Sequence, residues 1–179
     1  MSKNQPLEDG SQRSQGNVGK WMLILAWAAG LGLLTLLFDN QIAQQFNPNP
    51  QPTSSTGQGS VEVRLQQNRY GHYVTSGLIN NQPVVFLLDT GATQVSVPFA
   101  LAQQLNLIPG RPTWVQTANG RVQVAQTIIE HLQIGGIELH NVRAHLNYAD
   151  STDEILLGMS ALKQLEFSQR QDVLILRSL

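Results

Sequence analysis

The sequence contains no cysteine among its 179 residues. Disulfide bonds, a thiol nucleophile and cysteine-ligated metal are therefore excluded. Charged residues are also scarce, at 13%, and 11 Lys and Arg nearly balance 12 Asp and Glu, which gives a net charge of -1. Without a basic surplus, nothing in the composition favours a nucleic-acid partner. Apolar residues make up 41%, which is enough for the core of one domain with appendages.

Charge is absent altogether from the 18 residues of segment 21–38, WMLILAWAAGLGLLTLLF. At about 1.5 Å per residue, a helix of this length spans roughly 27 Å, close to the thickness of a bilayer's hydrocarbon core. A buried core helix of this length normally keeps a polar face, which this segment lacks. A cleaved signal peptide is the other alternative, but the residues after Phe38 offer no small-x-small cleavage site. We therefore expect an uncleaved transmembrane helix in contact with membrane lipid.

Basic residues near this segment predict its orientation. Lys3, Arg13 and Lys20 precede it, and the next basic residue is Arg64. The positive-inside rule then places residues 1–20, a short polar tail, in the cytoplasm. The expected location is the inner membrane, crossed once, with everything after Phe38 in the periplasm or otherwise outside the cytoplasm.

A change in composition after the apolar segment predicts the domain boundary. Residues 39–59 are rich in Asn, Gln, Pro, Ser, Thr and Gly. Such a segment cannot build a core, so we expect a flexible linker. The folded domain is then expected over residues 60–179.

Short strands dominate the pattern of this domain. Val84–Leu88 is a continuous apolar run typical of a buried strand. Asn80-Asn81 and Asn119-Gly120 are strong signals for two-residue hairpin turns. Short helices are expected after Pro98 and over residues 160–164. The pattern predicts a mainly β domain, a small barrel or a sandwich, with one or two short helices.

The triplet Asp89-Thr90-Gly91 directly follows the predicted buried strand. A carboxylate at the end of an apolar strand costs several kcal/mol to desolvate unless it is hydrogen-bonded or neutralised. A turn is the simplest explanation, because Asp and Gly are both common turn residues. By itself, therefore, the triplet is only moderately specific for a catalytic site.

Its context resembles that of the retropepsin-like aspartic proteases, and more closely the bacterial membrane-anchored members of that clan. Phe86-Leu87-Leu88 precedes the triplet and Ala92-Thr93 follows it; Thr117-Ala118-Asn119-Gly120 stands at the tip of a predicted hairpin, and Ile155-Leu156-Leu157-Gly158 comes later, before Met159. The resemblance covers the whole of residues 60–179. The hairpin tip departs from the glycine-rich tip of the viral enzymes, so their substrate contacts do not carry over.

The resemblance implies a retropepsin-like closed β-barrel that hydrolyses peptide bonds in polypeptide substrates without a cofactor. Asp89 is the implied catalytic carboxylate. Thr90, Gly91 and Ala92 complete the active-site loop: Thr90 would bond to a facing loop, and Gly91 would permit a tight turn. Thr117, Ala118, Asn119 and Gly120 would form a mobile flap over the substrate. Leu156, Leu157 and Gly158 would support the loop.

Amide hydrolysis by this route needs two facing carboxylates, of which one keeps its proton because like charges about 3 Å apart cannot both ionise. This chain has one such triplet. Asp150-Ser151-Thr152 lacks both the glycine and the apolar strand, and Asp153 and Asp172 also lack that setting. We therefore predict a homodimer with Asp89 of each subunit at the two-fold axis.

Other chemistry finds less support in the sequence. His72, His131, His140 and His145 show no metal-ligand spacing, so no metal site is predicted. Ser96 and Ser160 lack the Gly-x-Ser-x-Gly setting of a nucleophilic serine. The alternative function is a protease-like fold that serves as a non-catalytic dimerisation or peptide-binding module. The intact triplet argues against it, since a binder has no need of a buried carboxylate pair.

Overall fold

The computed structural model describes residues 15–57, 59–117 and 120–179, so residues 1–14 of the predicted tail lie outside it. The chain divides into two compact units, residues 1–42 and 43–179. The elements are α1 (Gln15–Phe46), β1 (Thr53–Gly57), β2 (Ser60–Gln66), β3 (Val74–Ile79), β4 (Gln82–Leu88), β5 (Val95–Pro98), a 3-10 turn (Phe99–Leu101), β6 (Pro112–Thr117), β7 (Gly120–Ile134), β8 (Ile137–Asn147), β9 (Glu154–Leu157), α2 (Met159–Leu162), β10 (Leu165–Arg170) and β11 (Val173–Ser178).

Helix α1 contains the apolar segment and extends beyond both of its ends. Every residue from 19 to 38 is exposed. The stretch Gly19–Phe46 is long and apolar enough to cross a membrane, a test that a signal sequence also passes. Residues 41–46 contain no helix breaker, and the helix ends just before Asn47-Pro48 because a residue before proline is disfavoured in the α conformation.

The second unit is a β-barrel. Strand β3 pairs with both β4 and β7, so the order β3-β4-β9-β5-β8-β7 closes into a ring of six strands. Phe86, Ile129, Ile155 and Leu157 fill its interior and are fully buried. A second sheet, in the order β1-β2-β11-β10, adds Leu65 and other apolar residues to the same core. The mainly β fold with short helices, as expected, is confirmed, and the pairing of β3 with β7 makes it a barrel rather than a sandwich.

The turns follow the residue types that the sequence offers. Asn80 and Asn81 both have positive φ, 47° and 68°, and Ile79 pairs with Gln82 across them. Asparagine tolerates this left-handed conformation better than other non-glycine residues, so the predicted two-residue turn is confirmed. Gly135, at φ 55°, opens the turn between β7 and β8.

The predicted flexible linker over residues 39–59 differs from the structure. Its first part belongs to α1, and its last part forms the edge strand β1, which pairs with β2 from Thr53↔Arg64 to Gly57↔Ser60. The fold therefore begins near residue 43 rather than at residue 60. A polar edge strand has no apolar periodicity, which is why composition alone did not predict it.

Asn49 holds this segment to the barrel. Its backbone bridges to Thr75, and its buried side chain lies between the end of β2 and the start of β3. The Nδ2 group donates to the carbonyls of Gln66 (2.9 Å) and Val74 (2.7 Å), and Oδ1 accepts from the Gln66 N–H at 2.7 Å. One amide side chain thus satisfies three backbone groups that would otherwise lack partners, as a paired strand would.

Candidate active site

Asp89 stands where two parallel strands end together. Strands β4 and β9 pair in parallel up to Leu88↔Leu157, and the Asp89 N–H donates to the Leu157 carbonyl at 3.2 Å. This bond continues the pairing by one residue before the chain turns away. The half-buried Asp89 side chain therefore lies at the end of a strand that is paired on both sides, with β3 and with β9.

The carboxylate of Asp89 is held by its own loop. The Gly91 N–H donates to Asp89 Oδ1 at 2.8 Å, and the Ala92 N–H donates to the Asp89 carbonyl at 3.2 Å. A Cβ atom at position 91 would lie 3.1 Å from Asp89 Oδ1, so glycine leaves the room that this turn needs. Thr90 lies exposed between them. The triplet therefore builds a tight turn that presents one carboxylate outward.

Gly158 supports this loop from below. A Cβ atom there would lie 2.7 Å from the Ala92 carbonyl oxygen and would collide with the Gln94 carbonyl oxygen. The N–H of Met159, the next residue, donates to the Ala92 carbonyl at 2.8 Å. Within β9, Leu157 is fully buried opposite Leu88, and Leu156 pairs with both Leu87 and Ser96. Leu156, Leu157 and Gly158 thus lie against the Asp89 loop.

Replacement of Gly158 by alanine is expected to displace the loop. The added methyl group meets two backbone carbonyls, which cannot move aside as a flexible side chain can, so a loss of about 1–3 kcal/mol in unfolding free energy is expected. A displacement of about 1 Å at the carboxylate would lower any peptidase activity roughly 100-fold. Thermal unfolding and peptide cleavage of the Gly158→Ala variant measure both effects.

Gly57→Ala is the matched control for this substitution. Gly57 lies in β1, where an added methyl group would have nothing within 4 Å, and its φ is not positive. The control should keep wild-type stability and activity. Equal effects at positions 57 and 158 would show that loop support is not the reason for Gly158.

The predicted flap is the hairpin of β6 and β7. The two strands pair from Pro112↔Ala125 to Thr117↔Gly120, and Thr117 Oγ1 donates to the Gly120 carbonyl at 2.8 Å. Gly120, at φ 106°, is the first residue of β7. Ala118 and Asn119, the other two predicted flap residues, lie outside the described residues. Lower in the hairpin, the Arg121 guanidinium lies 5.7 Å from the centroid of the exposed Trp114 ring.

A groove of about 380 Å³ separates the Asp89 loop from the flap strand β6. Its wall combines the active-site loop, the flap and the barrel strands β5, β7 and β8. The lining residues are 91–94, 96, 115–117, 126 and 145. The predicted loop residues Gly91 and Ala92 and the flap residue Thr117 are thus brought to one cleft.

Several residues of this groove were missed by sequence reasoning. Gln94 Oε1 is buried, and within the described part of the chain it has no hydrogen-bond partner. A buried acceptor without a hydrogen bond costs free energy, so this oxygen suits a ligand that carries N–H groups. Gln116, Gln126 and His145 come from the successive strands β6, β7 and β8, and Gln126 pairs directly with His145. No local motif marks them, because only the register of the β6–β7 and β7–β8 hairpins brings them together.

His145 is the titratable side chain in the wall of the groove. It lies on β8, opposite Gln126 of β7 and Ser96 of β5. Burial lowers the pKa of its imidazole below the ordinary value of 6.5. The ring is therefore neutral near pH 7, with one nitrogen able to donate and the other able to accept a hydrogen bond.

Because the pKa of His145 is lowered in the folded chain, we expect the free energy of unfolding to fall in acid. As the pH falls below 6.5, His145 becomes protonated in the unfolded chain, whereas in the folded chain it stays neutral until a lower pH. The contribution of His145 to stability is therefore complete above pH 6.5 and is lost as the pH falls toward the lowered folded-state pKa. Thermal unfolding between pH 8 and pH 5 should show this acid-side loss in wild type and a smaller loss in His145→Gln. His72→Gln, which retains His145, should follow wild type; identical profiles for all three proteins would contradict the assignment.

The neighbouring strand does not bring a second carboxylate to Asp89. Glu154 begins β9 and pairs with Val85, so it lies at the opposite end of that strand, on the order of 10 Å away along the strand direction. Its pKa is raised, first by burial and then by the charge of Asp150. In the described parts of the chain, the Asp89 loop thus presents a single carboxylate beside the groove.

A closed six-stranded ring, an Asp-Thr-Gly loop at the end of an apolar strand and a hairpin over the adjacent groove define the retropepsin-like aspartic protease fold. Residues 75–164 match the family model described as "gag-polyprotein putative aspartyl protease". The chain belongs to this family.

The chain is also similar to one solved protease and to two uncharacterized proteins. The crystal structure of a retropepsin-like aspartic protease from Rickettsia conorii is similar, with a TM-score of 0.56 and 27% identity over 72% of this chain and 94% of that chain. An uncharacterized protein from the cobV 5' region of Sinorhizobium sp is 33% identical over 78% of this chain. An uncharacterized protein of Rickettsia prowazekii (strain Madrid E) is 30% identical over 64%. The chain spans 62% and 51% of the lengths of these two relatives.

Proposed function

We propose that this chain is an aspartic endopeptidase whose active site forms between two copies of itself. The observation that carries the proposal is the single Asp89 carboxylate, fixed on a tight loop at the edge of an open groove. Family membership supports peptide-bond hydrolysis as the chemistry. The need for two carboxylates, set against one triplet per chain, supports the homodimer.

In the proposed dimer, the two Asp89 carboxyl groups share one proton and hold one water between them. The ionised group takes a proton from the water, and the resulting hydroxide attacks the amide carbonyl carbon. The protonated group donates to the carbonyl oxygen, which gives a tetrahedral intermediate. Proton transfer to the amide nitrogen then breaks the C–N bond and releases an amine and a carboxylic acid. Gly91 would hold each carboxylate through its N–H, and Thr90, which is exposed, would bond across the axis.

The groove suits an extended polypeptide substrate. Among the described residues, strand β6 pairs with β7 alone, so its other edge offers unpaired backbone groups along one side of the groove. Gln94 Oε1 adds a buried acceptor on the opposite side. A peptide strand between them would bond to both, and the flap tip, residues 117–120, would close over it to exclude water.

We further propose that α1 anchors the enzyme in the inner membrane. The support is its uniform exposure over residues 19–38, together with the basic residues of the sequence before Trp21. The protease domain would then lie in the periplasm, and tethering on one surface would raise the effective concentration for dimerisation. A reporter fused after Leu179 that is active only in the cytoplasm would reverse this orientation.

The activity is tested with the full chain in detergent micelles or nanodiscs and a library of unstructured peptides. Cleavage between defined residues, inhibited by a transition-state mimic of the pepstatin type, is the expected result. Peptide binding without cleavage would instead favour the non-catalytic binding module. The assay needs no knowledge of the natural substrate, since mass spectrometry of the products locates each cut.

A further inference from the structure

Three metal-ligating side chains meet on the outer surface of the β7–β8 hairpin, at the end away from the flap. His131 lies directly opposite His140, with ring centroids 5.2 Å apart. Glu138 stands diagonally across the strands, and its Oε2 atom is 3.6 Å from His131 Nε2. One ligand atom from each of the three residues lies within 4.8 Å of the other two. His131 is eleven positions along β7 from Gly120, on the order of 35 Å along the chain.

The three residues stand beside a bend that both strands share. On β7, every second residue is buried from Ala125 to Ile129, and the next buried residue is Leu132, three positions later. On β8 the same three-position step separates the buried residues Leu139 and Val142. Asn141, at φ 54°, lies within the shift. The pairing register between β7 and β8 is the same on both sides of this step. Both strands therefore change, at the same point, which of their alternate residues face the core.

The backbone of His131 is fixed from its other side. Its N–H donates to Asn80 Oδ1 at 3.1 Å, and its carbonyl accepts from the Asn80 N–H at 2.9 Å. Asn80 Nδ2 in turn donates to the Leu105 carbonyl at 2.8 Å. His131 is half-buried, whereas Glu138 and His140 are exposed. One ligand is thus held in place, and two can close on an ion.

We propose that His131, Glu138 and His140 bind one divalent transition-metal ion, with zinc as the best match. Two imidazoles and a carboxylate are a common zinc ligand set, and water would take the fourth position. Ligands about 2 Å from a tetrahedral zinc ion lie about 3.3 Å from one another, close to the His131–Glu138 separation, so small side-chain rotations complete the site. The ion would clamp the hairpin at its bend. Magnesium and calcium prefer oxygen ligands and would not compete.

The test is zinc binding to the full chain, purified with a histidine-free tag. Titration against a chromogenic zinc chelator should show one saturable zinc ion per chain and a thermal midpoint that rises with zinc concentration. His140→Gln should weaken zinc binding by more than about tenfold. Loss of a residue that only hydrogen-bonds to a metal ligand already costs about tenfold or more in affinity, and His140 would be a ligand itself. His140 is exposed, so this substitution leaves the core untouched. Glu138→Gln should weaken binding in the same direction.

His72→Gln is the matched control, because His72 is also exposed but lies outside the cluster. It should bind zinc as wild type does. Zinc X-ray absorption should show two imidazole ligands in wild type and one in His140→Gln. The absence of saturable binding, or equal affinity in wild type and His140→Gln, would overturn the proposal and leave His131 and Glu138 as a cross-strand side-chain contact. Neither result depends on peptidase activity.

Discussion

Asp89→Asn is expected to abolish peptide cleavage while the fold remains intact. The amide has almost the shape of the carboxylate, and its oxygen can still accept the Gly91 N–H bond that the carboxylate accepts at 2.8 Å. It can neither take a proton from water nor share one with a second carboxyl group. Removal of one member of a concerted catalytic unit typically costs on the order of 10⁴-fold or more in turnover.

The measurement is kcat/KM on a peptide identified from the library, with thermal unfolding as the check on folding. Asp153→Asn is the matched control: Asp153 is an exposed aspartate in the turn before β9. The control should cleave at the wild-type rate. Cleavage that survives in Asp89→Asn would remove Asp89 from the chemistry, whatever the fold.

Excess Asp89→Asn protein is expected to suppress the activity of wild type, which is the second large effect. In a homodimer with one shared site, each mixed dimer has one Asp89 carboxyl group and one amide, from the Asp89→Asn chain, in that site. It therefore lacks the pair of carboxyl groups that must share a proton. If subunits exchange at random, a tenfold excess of the variant leaves about one tenth of the original activity, because most wild-type chains are then in mixed dimers. A monomeric enzyme would be unaffected.

This mixing experiment needs subunit exchange, so the proteins are combined in detergent, diluted to dissociate dimers and then concentrated. An equal excess of Gly57→Ala, an exposed edge-strand variant expected to be active, controls for crowding and detergent effects. Its addition should raise the total activity. Unchanged activity with excess Asp89→Asn would contradict the shared site while leaving the protease family assignment untouched.

The parts of the fold that follow from local patterns could be predicted from the sequence. The strand before Asp89 shows as an apolar run, although only Val84 and Phe86 in it are buried, and Asn80-Asn81 adopts the left-handed turn that its residue types favour. For Gly158, the resemblance of its motif to known proteases led us to expect a place beside the loop, and a Cβ atom there would meet the Ala92 and Gln94 carbonyls. In each case a short stretch of sequence contains the physical cause.

Structure that depends on distant partners was not predictable in this way. Strand β1 consists of exposed polar residues and exists because β2 offers an edge to pair with. Asn49 is one of several similar residues in a Pro- and Asn-rich segment, and only the gap between β2 and β3 selects it. His131 and His140 are nine positions apart, a separation that has no metal-site pattern until the hairpin register places them opposite each other. The groove wall is assembled by the same long-range pairing.

The central claim is that two copies of Asp89 face each other, and the absence of native cysteine makes a direct test simple. A disulfide forms only when two Cα atoms come within about 7 Å. Thr90→Cys places a thiol next to Asp89 on an exposed loop position, and Gln103→Cys places one on an exposed turn as the control. After mild oxidation, the account predicts a covalent dimer for Thr90→Cys and a monomer for Gln103→Cys. A Thr90→Cys protein that stays monomeric, or that crosslinks no more than Gln103→Cys, would contradict it.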